Sequence, residues 1–203
     1  MTTTVPDNHI GIKALGYTLL ALPSNETKQQ LTNLLRALSA ELPGVLWSMP
    51  AEQLHITLCE IIQTKDYSQD KEALYNLHKD QYENVPARLL SKTPKFTVTF
   101  DLIEASPQAI IVRCSNSDNF NDIRSRLIAE MELPGETRTP PDITHSSIAR
   151  YLQTIDLELV QTIVAKHKIN IAEEITGFKL VRTEMLPLQK YEVLKDFRLA
   201  KND

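Results

Sequence analysis

The sequence predicts a globular domain with an α+β fold and antiparallel strands, and three observations lead to this prediction. Apolar stretches with strand periodicity are interleaved with amphipathic helices and with hairpins, which does not fit a simple series of parallel β-α-β units. The 203 residues are 42% hydrophobic, which is enough for a domain with a buried core. The chain has 5 glycines and 11 prolines, a composition that argues against a disordered or repetitive protein.

The first half of the chain predicts two strands and two helices. A strand runs from Lys13 to Leu22, and Ser24 is placed to cap the helix that follows. The alternating residues 54–61 predict a second strand, and a charged helix is expected over 69–84, where Pro86 limits it. The apolar face of the first helix consists of leucines at helical spacing, namely Leu31, Leu34, Leu35, Leu38 and Leu42.

The second half predicts two helices, one single strand and two hairpins. Asp118 is expected to cap the first of these helices, and the turn-rich residues 136–142 follow that helix. In chain order the elements are a hairpin of residues 95–102 and 109–114, a helix over 118–131, a strand over 143–152, a helix around 159–164, and a hairpin of residues 178–185 and 191–197.

Two copies of the motif His-x-(Thr/Ser)-apolar stand 90 residues apart, at His55-Ile-Thr57-Leu and His145-Ser-Ser147-Ile. Each copy lies on a predicted strand, where residues i and i+2 project from the same face about 6.6 Å apart. Each strand therefore directs an imidazole and a hydroxyl the same way. Two such strands facing each other across a cleft would enclose one phosphate group.

These side chains suit the cleavage of a phosphodiester, which needs a base and an acid. The unperturbed pKa of histidine, about 6.5, allows His55 and His145 to take either role near neutral pH. The hydroxyls of Thr57 and Ser147 can donate hydrogen bonds to non-bridging phosphate oxygens. The sequence has no glycine-rich phosphate loop, so it gives no support to ATP hydrolysis or hydride transfer.

Strand periodicity also assigns the neighbouring residues to faces. Cys59 is expected on the face of His55, and Tyr151 on the face of His145, where its ring could stack a base or pack in the core. Arg150 falls on the opposite face and is a candidate for phosphate contact or for a structural ion pair. The remaining histidines are expected to be structural or solvated: His9, His78 and His167.

Two alternative chemistries involve cysteine. A zinc site made of His55, Cys59 and His145 is the main chemical rival, because both residue types bind zinc. On a strand, however, residues i and i+4 stand about 13 Å apart, too far to share one ion. A nucleophile at Cys59 or Cys114 also stays open, although no spacing favours either thiol and free cysteine is usually a small buried hydrophobe. We therefore expect no metal and no cofactor.

The motifs and their flanking residues resemble those of the two-histidine (2H) phosphoesterases, which include RNA 2',3'-cyclic phosphodiesterases, also called 2'-5' RNA ligases. The segment Trp47-Ser-Met-Pro-Ala-Glu-Gln-Leu-His-Ile-Thr-Leu58 is similar to the family's Trp-x-x-Pro-x-x-x-Leu-His-x-Thr-Leu. The segment His145-Ser-Ser-Ile-Ala-Arg150 is similar to its His-x-Thr-Leu-Ala-Arg. This chain departs from the family at Ser147, which replaces threonine, and at Cys59-Glu60-Ile61, where the bacterial RNA-ligase-like branch has a Phe-Leu-Gly ending.

The resemblance implies one bilobal, pseudo-twofold domain over residues 1–203, with antiparallel sheets lining a central cleft and helices outside; residues 1–12 are expected to be flexible. It implies catalytic roles for His55 and His145 and phosphate binding by Thr57 and Ser147, without a metal. The expected activity is hydrolysis of a 2',3'-cyclic or 2'-5'-linked ribonucleotide phosphodiester, ranked above RNA joining, which acid-base groups alone do not explain. The alternative is a module that binds a nucleotide or RNA end without turnover.

Composition limits the partners and the compartment. A formal net charge of −4 lacks the basic surplus that holds long nucleic acid, so a small nucleotide or short RNA is expected rather than a long duplex. The N-terminus has no basic and apolar leader, and no stretch approaches the roughly 20 apolar residues of a membrane helix, so neither export nor anchoring is expected. With two cysteines and no CxxC pattern, we expect a cytoplasmic protein. A monomer is also expected.

Overall fold

Two antiparallel sheets and four helices make up the part of the chain that the computed structural model describes, residues 2–64, 70–134 and 143–201. The predicted turn-rich stretch, residues 136–142, lies outside these residues. In chain order the elements are β1 (Lys13–Ala21), α1 (Asn25–Glu41), β2 (Leu46–Ser48), a 3-10 turn (Ala51–Gln53), β3 (Ile56–Ile62), α2 (Lys71–Leu90), β4 (Phe96–Ala105), β5 (Ala109–Ser115), α3 (Asp118–Glu130), β6 (His145–Tyr151), α4 (Leu157–Val164), β7 (Ile171–Ile175), β8 (Gly177–Met185) and β9 (Lys190–Arg198).

The two motif strands lie next to each other although they belong to different sheets. The first sheet has the order β3-β1-β8-β9 and the second has the order β2-β6-β5-β4-β7. The motif strands β3 and β6 belong to different sheets and contact each other. One hydrophobic cluster includes buried residues of both sheets, among them Leu19, Phe100 and Phe178. The sheet that contains β3 and the sheet that contains β6, here called the first and the second lobe, therefore share one core. This core fixes the position of β3 relative to β6.

The capped first helix is confirmed. The side chain of Ser24 accepts a hydrogen bond from the backbone N–H of Thr27, and α1 buries Leu31, Leu35 and Leu38. The cap of α3 differs from the prediction, because Asp118 is the first helical residue and Ser117 precedes it without a side-chain hydrogen bond. The Asp118 carboxylate still lies in the first turn, where the helix dipole favours negative charge.

The expectation that Pro86 limits the second helix is wrong. α2 continues through Pro86 to Leu90. A proline inside a helix removes one backbone hydrogen bond and costs about 3 kcal/mol. Tyr82, Pro86, Leu89 and Leu90 are all buried on one face of α2. Burial contributes about 1.5–3 kcal/mol for each large apolar side chain, which offsets the cost of the proline.

The N-terminal residues that the structure describes are docked on the rest of the chain. In residues 2–12, here called the N-terminal strap, the backbone N–H of Thr4 donates to the carbonyl of Ile155, just after β6. The N–H of Gly11 donates to the carbonyl of Leu186, just after β8. The strap thus bonds to both lobes. Distant residues thus satisfy backbone groups of the strap and hold it in place. The flexibility expected for residues 1–12 stays a prediction.

None of the four helices within the described ranges combines the length and the apolar character needed to cross a lipid bilayer.

Candidate active site

Both motifs open onto one cleft with a volume of about 480 Å³. His55 and Thr57 line it from the first lobe, and His145 and Ser147 line it from the second. The sequence pairs a histidine with a hydroxyl residue in each motif, and the tertiary structure brings the two pairs together in one cleft. The strap and the turn between β8 and β9 also contribute to the wall, with Val5, Pro6, Asp7, His9, Leu186, Pro187 and Leu188.

A β-bulge in the first motif strand decides which side chains reach the cleft. Leu20 pairs with Thr57 and Leu19 pairs with Cys59, so Leu58 is an extra residue in β3. A bulge of this kind breaks the simple alternation of side chains. Cys59 is consequently buried in the core, and Glu60 lines the cleft instead. The expectation that Cys59 shares the face of His55 is wrong for this reason.

The second motif strand has a bulge at the corresponding place. Ile111 pairs with Ser147 and Ile110 pairs with Ala149, which leaves Ile148 as the extra residue in β6. Beyond the bulge the faces are exchanged relative to the sequence-based prediction. Arg150 lines the cleft, whereas Tyr151 is 0% exposed and lies in the core. A side chain buried to this extent cannot stack a base, so the expected place of Tyr151 beside His145 is wrong.

The two bulges give the cleft a pair of opposite charges at equivalent positions. Glu60 lies five residues after His55, and Arg150 lies five residues after His145. Both line the cleft. Each motif strand thus presents an imidazole, a hydroxyl and, past its bulge, one charged side chain. Glu60 and Arg150 therefore occupy positions related by the pseudo-twofold symmetry, although their charges are opposite.

The tautomer of His55 is set by the backbone. Its Nδ1 lies 2.7 Å from the carbonyl oxygen of Gln53. A carbonyl oxygen can only accept, so Nδ1 carries the proton and Nε2 is left with a lone pair. Burial lowers the pKa of His55 to about 4. The hydrogen bond to Gln53 opposes this decrease, and the positive charges of His145 and Arg150 reinforce it. His55 is therefore neutral at pH 7.

His145 is held less tightly than His55. Burial lowers its pKa, the carbonyl of Ile143 opposes this, and the positive charges of Arg150, Arg124 and Arg113 reinforce it. Its Nδ1 is buried and makes no hydrogen bond of good geometry to any residue in the described ranges. Since both pKa values are lowered, the cleft by itself favours two neutral imidazoles, and an anionic ligand would favour protonation of one of them.

A buried arginine from α3 connects the two motif strands. The guanidinium of Arg124 donates to the backbone carbonyls of Thr57 at 2.9 Å and Leu58 at 2.8 Å. It also donates to the carbonyl of Ile143 at 3.4 Å and to Oγ1 of Thr144 at 3.2 Å, directly ahead of His145. Arg124 thus satisfies the carbonyls at the first bulge and holds both motifs with one rigid group.

Arg150 enters the cleft beside the strap. Its Nε is buried, makes no hydrogen bond within the part of the chain that the structure describes, and lies 3.8 Å from Oδ2 of Asp7. Burial lowers the pKa of Arg150, and the Asp7 carboxylate raises it. Nδ1 of His9 lies 3.4 Å from Oδ1 of the same carboxylate, so His9 is at the cleft and not in a free terminus. Sequence patterns contain no signal for Asp7, which stands 143 residues before its partner.

The two cysteines are buried and face away from the proposed chemistry. Burial raises the pKa of the Cys59 and Cys114 thiols to about 12, which is the opposite of what an activated nucleophile needs. The set of His55, Cys59 and His145 is not assembled, because Cys59 lies in the core. In the ranges that the structure describes, no group of three or more His, Cys, Asp or Glu side chains is placed to hold a metal ion.

Two further aromatic residues and two of the remaining histidines lie outside the cleft. Tyr17 is buried and stacks on Tyr75 at 4.0 Å, and Trp47 packs against the core. His78 packs against Tyr82 on α2, and His167 pairs with Glu41. The structural roles expected for these two histidines fit their positions.

Comparison with known proteins identifies the family. The model of the 2'-5' RNA ligase superfamily matches residues 29–185. The chain belongs to the 2'-5' RNA ligase superfamily. This confirms the resemblance to two-histidine phosphoesterases. No curated protein sequence matches the chain significantly.

Solved structures with similar folds cover nearly the whole chain. TT0787 of Thermus thermophilus is 18% identical with a TM-score of 0.68, over 93% of this chain and 100% of that chain. LigT of E. coli complexed with 3'-AMP is 13% identical with a TM-score of 0.62, over 92% and 98%. LigT complexed with NADP+ is 16% identical with a TM-score of 0.61, over 92% and 99%. The likeness confirms the α+β fold of the superfamily, with antiparallel sheets around a cleft.

Proposed function

We propose that this superfamily member is a phosphodiesterase that hydrolyses a 2',3'-cyclic or 2'-5'-linked ribonucleotide, with His55 and His145 as its acid and base. One observation supports this most strongly. Two separate strands, each carrying a histidine and a hydroxyl residue two positions later, line the same cleft. An acid and a base on opposite sides of one phosphate are what cleavage of a phosphodiester requires.

In this proposal, hydrolysis proceeds in one step. One neutral histidine accepts a proton from water as the water oxygen bonds to phosphorus. The other, protonated histidine donates its proton to the ribose oxygen as the phosphorus–oxygen bond breaks. The hydroxyls of Thr57 and Ser147 donate to the non-bridging oxygens, where negative charge grows in the transition state.

The substrate helps to create the required protonation state. Burial lowers the pKa of both His55 and His145, so the cleft lacks its acid until an anion arrives. A phosphate group near the two rings favours the charged form of one imidazole. The pair takes up one proton on binding, and the pH profile of turnover belongs to the pair rather than to either residue.

The size of the cleft supports a small substrate. A volume of about 480 Å³ lies in the range of small-molecule sites, about 300–1,000 Å³. The net charge of −4 also disfavours long nucleic acid. LigT, which shares the fold, has been solved with 3'-AMP, phosphate, NADP+ and ATP, and this supports a nucleotide-sized ligand here. The monomeric state and cytoplasmic location stay predictions.

The first test is turnover of adenosine 2',3'-cyclic phosphate and of a 2'-5' oligoadenylate, with and without EDTA. His55→Ala and His145→Ala should each lose at least about 10²-fold in kcat, since a positioned proton transfer contributes about 10²- to 10⁴-fold. His78→Ala is the matched control, because His78 lies outside the cleft. Turnover that persists within a few-fold in either cleft variant would overturn the proposal, and loss with EDTA would point to a metal.

A second candidate is a binding module that holds a nucleotide or RNA end without turnover. The observation that favours it is the lowered pKa of both histidines, which leaves the cleft by itself without an acid at neutral pH. Equilibrium binding of adenosine 2',3'-cyclic phosphate, followed by recovery of the intact ligand after prolonged incubation, would support this alternative over the phosphodiesterase.

A further inference from the structure

The N-terminal strap places a carboxylate in the cleft that both motifs line. Val5, Asp7 and His9 of the strap line the same cleft as His145. Backbone hydrogen bonds hold this part of the strap, from the N–H of Val5 to the carbonyl of Pro107 at 2.7 Å and from the N–H of Asp7 to the carbonyl of Tyr151 at 2.9 Å. Asp7 is therefore held at a defined position beside β6.

The Asp7 carboxylate faces the guanidinium of Arg150. Oδ2 of Asp7 lies 3.8 Å from Nε of Arg150, a distance too long for a hydrogen bond but close enough for a strong charge interaction. This Nε makes no hydrogen bond with the part of the chain that the structure describes. The other oxygen, Oδ1, accepts from the backbone N–H of His9 at 2.9 Å, which orients the carboxylate. Arg150 is thus paired in charge with Asp7 through Nε, and its guanidinium carries further N–H donors.

A carboxylate at this place alters how the cleft responds to ligand charge. Each negative charge on a bound phosphate group is attracted by Arg150 and repelled by Asp7. A phosphodiester carries one such charge. A phosphomonoester carries close to two above pH about 6, so Asp7 opposes its binding twice as strongly. The cost of removing a dianion from water is also larger, and a neutralised guanidinium compensates for less of it.

We propose that Asp7 is a specificity residue, which makes the cleft prefer a singly charged phosphodiester to a doubly charged phosphomonoester. The inference rests on the proposed function, because it takes the ligand of Arg150 to be the phosphate of that reaction. Hydrolysis converts a diester into a monoester, so the same residue favours the release of product. The strap thus gives the cleft a means of distinguishing substrate from product by charge.

Asp7→Asn tests this with two ligands that differ by a single methyl group and one charge. The probes are 2'-deoxyadenosine 3'-phosphate and its methyl ester, titrated calorimetrically at pH 8. Asparagine retains an acceptor for the N–H of His9 and so preserves the local turn. Since the lost repulsion counts once for each ligand charge, a gain of about threefold for the methyl ester predicts about ninefold for the monoester. Asp122→Asn, on the surface of α3 beside Arg126, makes the same change in net charge and should alter neither affinity.

The outcome does not depend on turnover. A selective gain for the monoester supports the inference even if no diester is ever hydrolysed, in which case only the proposed function fails. Equal gains for both probes, no gain, or an absence of binding to wild type and variant alike would overturn it. If turnover is observed, Asp7→Asn should also show several-fold stronger inhibition by the monoester product than wild type does.

Discussion

Arg124 donates a hydrogen bond of 2.9 Å to the backbone carbonyl of Thr57, and so a helix residue outside the cleft holds a strand that lines it. Because the same guanidinium reaches the carbonyl of Ile143, it also fixes the approach to His145. A lysine ammonium is a point charge without the planar fork, so it cannot serve both strands at once. We expect Arg124→Lys to lower kcat by at least tenfold, roughly 1.4 kcal/mol in the barrier, with a smaller change in KM.

The matched control is Arg126→Lys, on the same helix but exposed and paired with Asp122. Surface changes of this kind usually alter the free energy of unfolding by less than about 0.5 kcal/mol. Arg124 is 2% exposed, and loss of part of its network should cost about 2–4 kcal/mol in chemical denaturation. A folded Arg124→Lys protein with wild-type kcat and pH profile would show that this arginine does not position the motifs.

Substitutions of Arg150 and Tyr151 test whether the bulge in β6 directs Arg150 into the cleft and Tyr151 into the core. Arg150 lines the cleft, so Arg150→Gln should raise KM for a phosphodiester about tenfold through loss of a charge near the phosphate. The Tyr151 hydroxyl is buried and has no hydrogen bond partner among the described residues, so Tyr151→Phe should leave KM within about twofold and should not destabilise the fold. Steady-state kinetics and thermal unfolding measure both effects. The reverse pattern, with KM sensitive to Tyr151 alone, would mean that the faces of β6 are not exchanged.

The lowered pKa of His55 predicts that stability falls in acid. In the unfolded chain histidine titrates near pH 6.5, whereas in the folded chain His55 stays neutral down to about pH 4. Between these values the unfolded state binds the extra proton, so the free energy of unfolding falls as pH falls. The slope from this residue is at most about 1.4 kcal/mol per pH unit.

Urea unfolding of wild type and His55→Gln at several pH values between 4 and 7 measures this contribution. The variant should lose less stability over that range, because glutamine does not titrate. His78→Gln, on α2 and outside the cleft, is the comparison variant for the removal of an imidazole elsewhere in the fold. Parallel slopes for wild type and His55→Gln would show that His55 is not held in its neutral form by the fold.

Several features of the site follow from short-range patterns in the sequence. The pairs His55 with Thr57 and His145 with Ser147 face one way because residues i and i+2 of a strand do so wherever the strand is paired. The α1 leucines identify a buried helix face for a similar reason, since the helical repeat is a property of the backbone itself. Polar residues in buried places weaken such patterns. Glu173, buried in β7, accepts hydrogen bonds from Ser24 and Thr27. Because a charged residue occupies a buried position there, the apolar pattern does not predict that strand.

By itself the sequence determined the α+β class, the family and the four motif side chains, because each depends on residues near one another in the chain. Only the tertiary structure decided which side chains join them. The bulges at Leu58 and Ile148 arise from the register with β1 and β5, and they move Glu60 and Arg150 into the cleft while Cys59 and Tyr151 enter the core. The Asp7–Arg150 pair likewise depends on backbone hydrogen bonds between distant segments. Register and docking are set by partners far away in the chain, which no local pattern contains.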